Sequence, residues 1–114
     1  MFLKRIFKNL YLLYIIKLRS FYKTPHFFMK KIEIYTTNYC TFCVKAKSLL
    51  KKKNIKFSEI DVSNDEALRE KMTTMANGAR SVPQIFADNV HIGDCDKIYK
   101  LDQEKKLDKL LGLE

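Results

Sequence analysis

Two cysteines separated by two residues constrain this chain more than any other feature. Cys40 and Cys43 lie where residues 31–36, which alternate between apolar and polar positions, give way to a stretch with helical periodicity. A CxxC pair is typical of redox-active dithiols when it lies in a strand–helix–strand context. The structure predicted for the flanking segments therefore decides whether the pair is interpreted as a redox-active dithiol.

The segments that flank the pair predict a β-α-β unit. Period-two alternation predicts a strand over residues 31–36, and residues 57–62 predict a second strand. Between them, apolar residues at i, i+4, i+7 and i+8 predict one buried helix face, made of Phe42, Ala46, Leu49 and Leu50. Two strands joined by a helix form a right-handed parallel crossover. The cysteine pair would therefore open the crossover helix.

The next segment predicts a second helix. Ser63 and Glu66 have the spacing of a capping box, which indicates a helix start at Ser63. The apolar positions expected to face inward are Leu68, Met72 and Met75. Asn77-Gly78 is a plausible C-terminal stop.

The rest of the chain predicts a hairpin and a final helical region. Residues 81–86 lead into a third strand, and a tight turn at Asp88-Asn89 connects it to a fourth over residues 90–92, so the two strands must be antiparallel. Gly93-Asp94 then precedes a helical region whose apolar face is Ile98, Leu101, Leu107, Leu110 and Leu111. The predicted fold is α/β, a four-stranded mixed sheet with flanking helices.

Composition and charge limit the classes of protein. A chain of 114 residues makes one domain, and three cysteines are too few for a disulfide-stapled secreted scaffold, so we expect a reducing, cytoplasmic location. The net charge of +9 suggests nucleic acid, but six of the 22 basic residues and no acidic one lie in residues 1–28. The remaining chain is only mildly basic, and nucleic acid is not an expected partner.

Residues 1–28 form a basic, hydrophobic N-terminal extension, and we place the working domain at 29–114. The apolar run in the extension covers residues 10–16, far short of the roughly 20 residues that span a bilayer. The segment fits either a leader or misassigned start that is absent from the working protein, or a helix resting on a membrane surface. Any membrane contact is expected through this segment alone.

The position of each cysteine predicts its role. A sulfur at a helix start faces unpaired N–H groups and the positive end of the helix dipole, which favour a thiolate and a good leaving group. Cys40 is therefore the expected nucleophile. Cys43, one turn further along, is the expected buried resolving thiol. A zinc site is the less favoured alternative, because the sequence has no second CxxC pair.

Three separated motifs resemble the bacterial dithiol glutaredoxins, from about Met29 to Leu111. They are a strand ending before the CxxC pair, the Ser-Val-Pro-Gln-Ile-Phe run at 81–86 and the His-Ile-Gly-Asp-Cys-Asp run at 91–96. The resemblance implies a thioredoxin fold with Pro83 in the cis form facing the cysteines. It also implies a glutathione-dependent oxidoreductase that reduces protein–glutathione mixed disulfides and protein disulfides.

The resemblance further implies a glutathione site. The backbone of Val82 would pair with the cysteinyl part of glutathione, and amides at a helix start would hold the γ-glutamyl carboxylate. The residues implied are Tyr39, Phe42, Arg80, Val82, Pro83, Cys95 and Asp96. No nicotinamide or flavin motif is present, so electrons are expected from glutathione and its reductase, and we expect a monomer.

Two departures from the glutaredoxin pattern leave an alternative open. Thr41 stands where the family usually has proline, and Thr37 replaces a lysine, for which Arg80 is the candidate substitute. Family members that lack the proline more often hold a [2Fe–2S] cluster between two subunits, through the first cysteine of each and glutathione. The alternative function is therefore a cluster carrier or sensor that uses Cys40 as its ligand.

Overall fold

A four-stranded sheet with helices on both faces forms the domain. The structure, a computed structural model, describes residues 30–113. The extension expected at residues 1–28 lies outside the described residues. The strands are β1 (Ile32–Thr36), β2 (Ser58–Asp61), β3 (Gln84–Ala87) and β4 (Val90–Gly93). The helices are α1 (Thr41–Lys52), α2 (Glu66–Met75), α3 (Cys95–Gln103) and α4 (Leu107–Leu110).

The sheet has the order β2-β1-β3-β4. The β1 strand pairs with β2 in parallel and with β3 in antiparallel orientation, and β3 pairs antiparallel with β4. Asp88 and Asn89, both with positive φ (49° and 67°), form the two-residue turn of the β3–β4 hairpin. The predicted parallel crossover, hairpin and mixed sheet are confirmed, and the sheet and helix arrangement is that of a thioredoxin fold.

Side chains alternate between the two faces of the sheet. Ile34 and Ile85 face α1, α3 and α4, and the cluster on this side includes Ala46, Leu50, Ile98, Leu107 and Leu111. Tyr35 and Phe86 face the opposite side, where α2 contributes Met72. Each fully buried Ile, Leu or Phe side chain stabilises the fold by about 1.5–3 kcal/mol relative to its exposed form. Burial on both faces fixes the end of β1 in space, and the cysteines follow directly.

Three predictions about individual helix positions are wrong. Phe42 is 54% exposed, because the buried face of α1 uses Cys43 together with Ala46, Leu49 and Leu50. Leu110 is also exposed at 37%, since α4 is a single turn whose buried side is Leu107.

The third wrong prediction is the capping box at Ser63 and Glu66. The cap of α2 is Asp65, whose carboxylate accepts from the Leu68 amide at 2.9 Å. Ser63 instead accepts from the Asn38 amide at 2.8 Å, which ties the end of β2 to the loop before Cys40.

Candidate functional site

The cysteine pair lies at the N-terminus of α1, directly after the loop that follows β1. Cys40 is the N-cap residue, and its sulfur accepts from the backbone N–H of Cys43 at 3.0 Å. The two cysteines form a disulfide with a Cα–Cα distance of 5.1 Å. A sulfur in the cap position receives the hydrogen bond that stabilises a thiolate when the disulfide is reduced.

Exposure separates the two sulfurs. Cys43 is only 2% exposed and packs with the buried face of α1, whereas Cys40 is half-buried at the surface. An incoming disulfide therefore reaches Cys40 first. The difference in exposure was expected from the sequence, and the roles of the two thiols stay a prediction.

Large apolar side chains close to the pair in sequence are exposed to solvent. Tyr39 is fully exposed, with a φ of 57°, and Phe42 and Val44 are more than half exposed. Exposed apolar side chains next to a reactive group are candidates for contact with a ligand or partner. Contact of Tyr39 and Phe42 with glutathione stays a prediction.

The loop before β3 approaches the same sulfurs from the other side. The Val82–Pro83 peptide bond is cis, as expected, and Pro83 is fully buried. The carbonyl oxygen of Val82 lies 3.9 Å from the Cys40 sulfur. The polar backbone of this loop is thus within reach of any group bonded to Cys40.

The start of α3 provides backbone amides. Asp94 caps this helix by accepting from the Lys97 amide at 2.9 Å. The amides of Cys95 and Asp96 donate to no acceptor within residues 30–113. First-turn amides without partners form an anion site together with the helix dipole. The Cys95 side chain itself is buried, and burial raises the pKa of its thiol.

Arg80 is engaged in ion pairs with α2. Its guanidinium binds Glu66, and it contacts Glu70 at 2.8 Å. These contacts raise the pKa of Arg80, with Glu66 the larger cause. A role for Arg80 in holding a glutathione carboxylate stays a prediction and would require the guanidinium to be shared with Glu66 and Glu70.

A cleft of about 500 Å³ that the sequence analysis missed opens on the β2 side of the cysteines. Its polar wall is a network in which Glu59 accepts from Thr36 at 2.7 Å and pairs with Lys47 at 2.9 Å. Lys47, followed by Thr36, lowers the pKa of Glu59. These residues lie on three elements and have no local sequence pattern, so only the tertiary fold brings them together.

The described residues contain neither a candidate metal cluster nor a candidate membrane span. No group of three His, Cys, Asp or Glu side chains among residues 30–113 is placed to hold a metal ion. In the same part of the chain, every helix is too short or too polar to cross a membrane.

The fold and the half-buried dithiol at a helix N-terminus define a thioredoxin-fold thiol–disulfide oxidoreductase. The glutaredoxin family profile matches residues 32–92. A probable glutaredoxin of Synechocystis is 54% identical over 81 residues, which cover 71% of this chain and 92% of that protein. The chain therefore belongs to the glutaredoxin family, as the three motifs indicated, and it is a dithiol member with the CxxC site at Cys40 and Cys43.

Solved structures agree with this assignment. The solution structure of a Brucella melitensis glutaredoxin has a TM-score of 0.67 at 43% identity, covering 75% of this chain and 92% of that one. The crystal structure of a buckwheat glutaredoxin–glutathione complex has a TM-score of 0.66 at 24% identity, covering 72% and 76%. The second comparison concerns the fold alone.

Proposed function

We propose that this glutaredoxin reduces protein–glutathione mixed disulfides with Cys40 as nucleophile and glutathione as electron donor. The observation that carries the proposal is the sulfur of Cys40, which caps α1 while its neighbour Cys43 is buried. The glutathione complex of the buckwheat relative, whose fold this chain shares, supports the choice of reductant.

The chemistry has two steps for a glutathionylated protein. The Cys40 thiolate attacks the glutathione sulfur, the mixed disulfide breaks, and the protein thiolate leaves and takes up a proton. A second glutathione thiolate then attacks the glutathione sulfur held on Cys40, which releases glutathione disulfide and restores the Cys40 thiolate. The cap amide of Cys43 favours Cys40 as the leaving thiolate in this second step.

A protein disulfide requires the second cysteine. Cys40 attacks one sulfur of the substrate, and the Cys43 thiolate then attacks the Cys40 sulfur, which frees the substrate as a dithiol. The product on the enzyme is the Cys40–Cys43 disulfide, the state present in this structure. Two glutathione molecules return it to the dithiol.

Glutathione would lie between the Val82 loop and the start of α3. The Val82 backbone pairs with the cysteinyl part, and the amides of Cys95 and Asp96 take the γ-glutamyl carboxylate. Tyr39 and Phe42 flank the sulfur, and Pro83 fixes the loop. Glutathionylated and disulfide-containing proteins are the proposed partners of a cytoplasmic monomer formed by residues 29–114.

The test compares two variants, each with one cysteine replaced, and the substrate is a peptide that carries a glutathione mixed disulfide. With glutathione and glutathione reductase supplied, Cys40→Ser should lose turnover by about a thousandfold or more, because no thiolate replaces it. Cys43→Ser should keep turnover within a few-fold on this substrate and lose it on a protein disulfide. Equal loss in both variants on the glutathionylated peptide would contradict the division of roles.

The [2Fe–2S] alternative stays a prediction. Cys43 is buried and Cys95 is 3% exposed, so Cys40 is the one accessible thiol within residues 30–113. A cluster would therefore need Cys40 from two copies, with thiolates of glutathione completing its ligands. Anaerobic purification with glutathione should then give a coloured dimer that Cys40→Ser abolishes. A colourless monomer from the same preparation would exclude the alternative.

A further inference from the structure

A polar pair lies inside the otherwise apolar face beneath α2. Gln84 opens β3 and is only 2% exposed. Its side-chain nitrogen donates to the Ser81 carbonyl at 3.0 Å and lies 3.3 Å from the Ser81 hydroxyl. Its side-chain oxygen lies 2.6 Å from Nε2 of His91. Both ends of the amide are therefore occupied by defined partners.

The donor and acceptor inventory fixes the direction of this chain of bonds. The Ser81 carbonyl only accepts, so the nitrogen of the Gln84 amide must face it. The amide oxygen then faces His91, and Nε2 of His91 must carry a proton. The reversed amide would set two oxygens against each other in a buried site, which is costly. The bonds run from His91 to Gln84 and from Gln84 to Ser81.

The ring of His91 is held in place by the sheet. His91 lies on β4 directly opposite Phe86, and the ring centroids are 5.2 Å apart. Phe86 is fully buried and packs edge-on against Tyr35 at 5.3 Å. The donor at the start of the chain of bonds is thus anchored to the core.

The acceptor at the other end belongs to the loop beside the reacting sulfur. Ser81 is followed by Val82, whose carbonyl oxygen is 3.9 Å from the Cys40 sulfur. We propose that His91 and Gln84 are positioning residues that hold the 81–83 loop at the distance from Cys40 at which the Val82 backbone receives glutathione. The proposal rests on the glutathione site described above and assigns two residues to its specificity.

A purely structural pair predicts a different result from a positioning pair. Loss of a structural pair lowers stability and changes KM, kcat and the reactivity of Cys40 together. Loss of a positioning pair affects the recognition of glutathione and leaves the intrinsic reactivity of Cys40 nearly unchanged, because the closest hydrogen bond to the Cys40 sulfur comes from the Cys43 amide of α1. The difference between a change in KM and a change in kcat separates the two.

The central variant is His91→Phe, which keeps a ring against Phe86 and removes the donor. Its matched control is Val90→Thr, an exposed neighbour on the same strand. The substrate is a peptide with a glutathione mixed disulfide, and the comparison substrate is the same peptide with a 2-mercaptoethanol mixed disulfide. The rate at which iodoacetamide alkylates reduced Cys40 reports the intrinsic reactivity of the thiol.

We expect His91→Phe to raise the KM for the glutathionylated peptide about five- to tenfold, the scale of one lost buried hydrogen bond. The kcat and the rate of Cys40 alkylation should each change by less than about twofold, and so should the KM for the comparison substrate. His91→Gln, which keeps a side-chain N–H, should recover part of the loss. Val90→Thr should match the wild type throughout.

A second variant tests the same bonds from the other end and serves if His91→Phe does not fold. Gln84→Glu still accepts from His91 but has no N–H for the Ser81 carbonyl, so the same rise in KM is expected. An unchanged KM in the folded variants would overturn the proposal, and so would equal losses on both substrates. A wild-type enzyme with no preference for the glutathionylated peptide would instead overturn the proposed function.

Discussion

Two helices of this domain have a cysteine at their start, and the two cysteine side chains lie in opposite environments. In α1 the cap is Cys40 itself, and its sulfur accepts from the Cys43 amide at 3.0 Å. In α3 the cap is Asp94, and Cys95 is the first helical residue, with its side chain turned into the core at 3% exposure. The sulfurs thus differ by one position relative to the cap.

That single position separates a reactive thiol from an inert one. A cap side chain receives a backbone N–H and reaches solvent, which favours a thiolate. Burial raises the pKa of Cys95, although Lys45 opposes the effect. A cysteine near a helix N-terminus is therefore reactive only where its sulfur, and not its backbone alone, faces the first-turn amides.

The largest expected effect is a difference in alkylation between these thiols. In the reduced protein at pH 7, iodoacetamide should modify Cys40 at least about a hundredfold faster than Cys95, because Cys95 is both protonated and buried. Mass spectrometry of peptides after timed quenching measures both rates in one sample. In denaturant the two rates should converge, and similar rates in the folded protein would remove the basis of the comparison.

Backbone substitution next to the cap of α3 should have the second-largest effect. Gly93 has a φ of 146°, and a Cβ there would lie 2.6 Å from Cβ of Lys97. Gly93→Ala should lower the free energy of unfolding in urea by about 2–3 kcal/mol, from backbone strain and the clash. Gly78, with φ of 95° and open space around it, is the matched control.

Gly78→Ala should cost only about 1 kcal/mol, the strain alone. Equal losses at the two glycines would show that Lys97 moves aside at no cost. The start of α3 would then be less closely packed than the contacts at Gly93 imply.

The difference between the two helix starts was only partly visible in the sequence. The CxxC spacing and the strand before it placed Cys40 at a helix start, because both patterns are local. The Val82–Pro83 loop and the Cys95 amides came from the resemblance to glutaredoxins. The assignment of Phe42 to the core failed because apolar spacing alone does not reveal which neighbour, Phe42 or Cys43, the sheet covers.

Contacts between distant segments could not be predicted from the sequence. Ser63 has the spacing of a capping residue, yet it binds Asn38, which lies 25 residues away. The bonds from His91 through Gln84 to Ser81 likewise depend on the register of β3 against β4. Such pairings need the tertiary fold, and no periodicity encodes them.

A third prediction concerns charge at the start of α3. Asn caps a helix about as well as Asp, so Asp94→Asn should leave stability nearly unchanged. It removes a negative charge beside the proposed site for the γ-glutamyl carboxylate, an interaction of about 0.5–1 kcal/mol in water-like surroundings. The KM for glutathione should therefore fall by about two- to fivefold at low salt.

Asp65→Asn is the control for that change. Asp65 caps α2 with the same geometry, 2.9 Å from the Leu68 amide, and is no part of the proposed glutathione site. The KM of the Asp65→Asn variant for glutathione should equal that of the wild type. No decrease with Asp94→Asn, or an equal decrease with Asp65→Asn, would argue against an anion at the start of α3.

The smallest effect is expected at the residue before the cap of α1, and it sharpens the comparison with Gly93. Tyr39 has a φ of 57° and a fully exposed side chain, so within residues 30–113 its ring contributes no packing that offsets the left-handed backbone. Asn tolerates this conformation better, and Tyr39→Asn should raise the free energy of unfolding by about 0.5 kcal/mol. Lys105→Asn, at an exposed position with φ of 59°, should give the same gain.

The two variants should differ in activity. Tyr39→Asn should lower kcat/KM on the glutathionylated peptide a few-fold, because Tyr39 belongs to the proposed glutathione site, while Lys105→Asn should leave it unchanged. A bulky residue that costs stability and is fully exposed on the described domain fits the proposed contact with the ligand. If Tyr39→Asn gained stability at full activity, the left-handed residue would be a feature of the turn alone, and the apolar surround of Cys40 would have no part in binding.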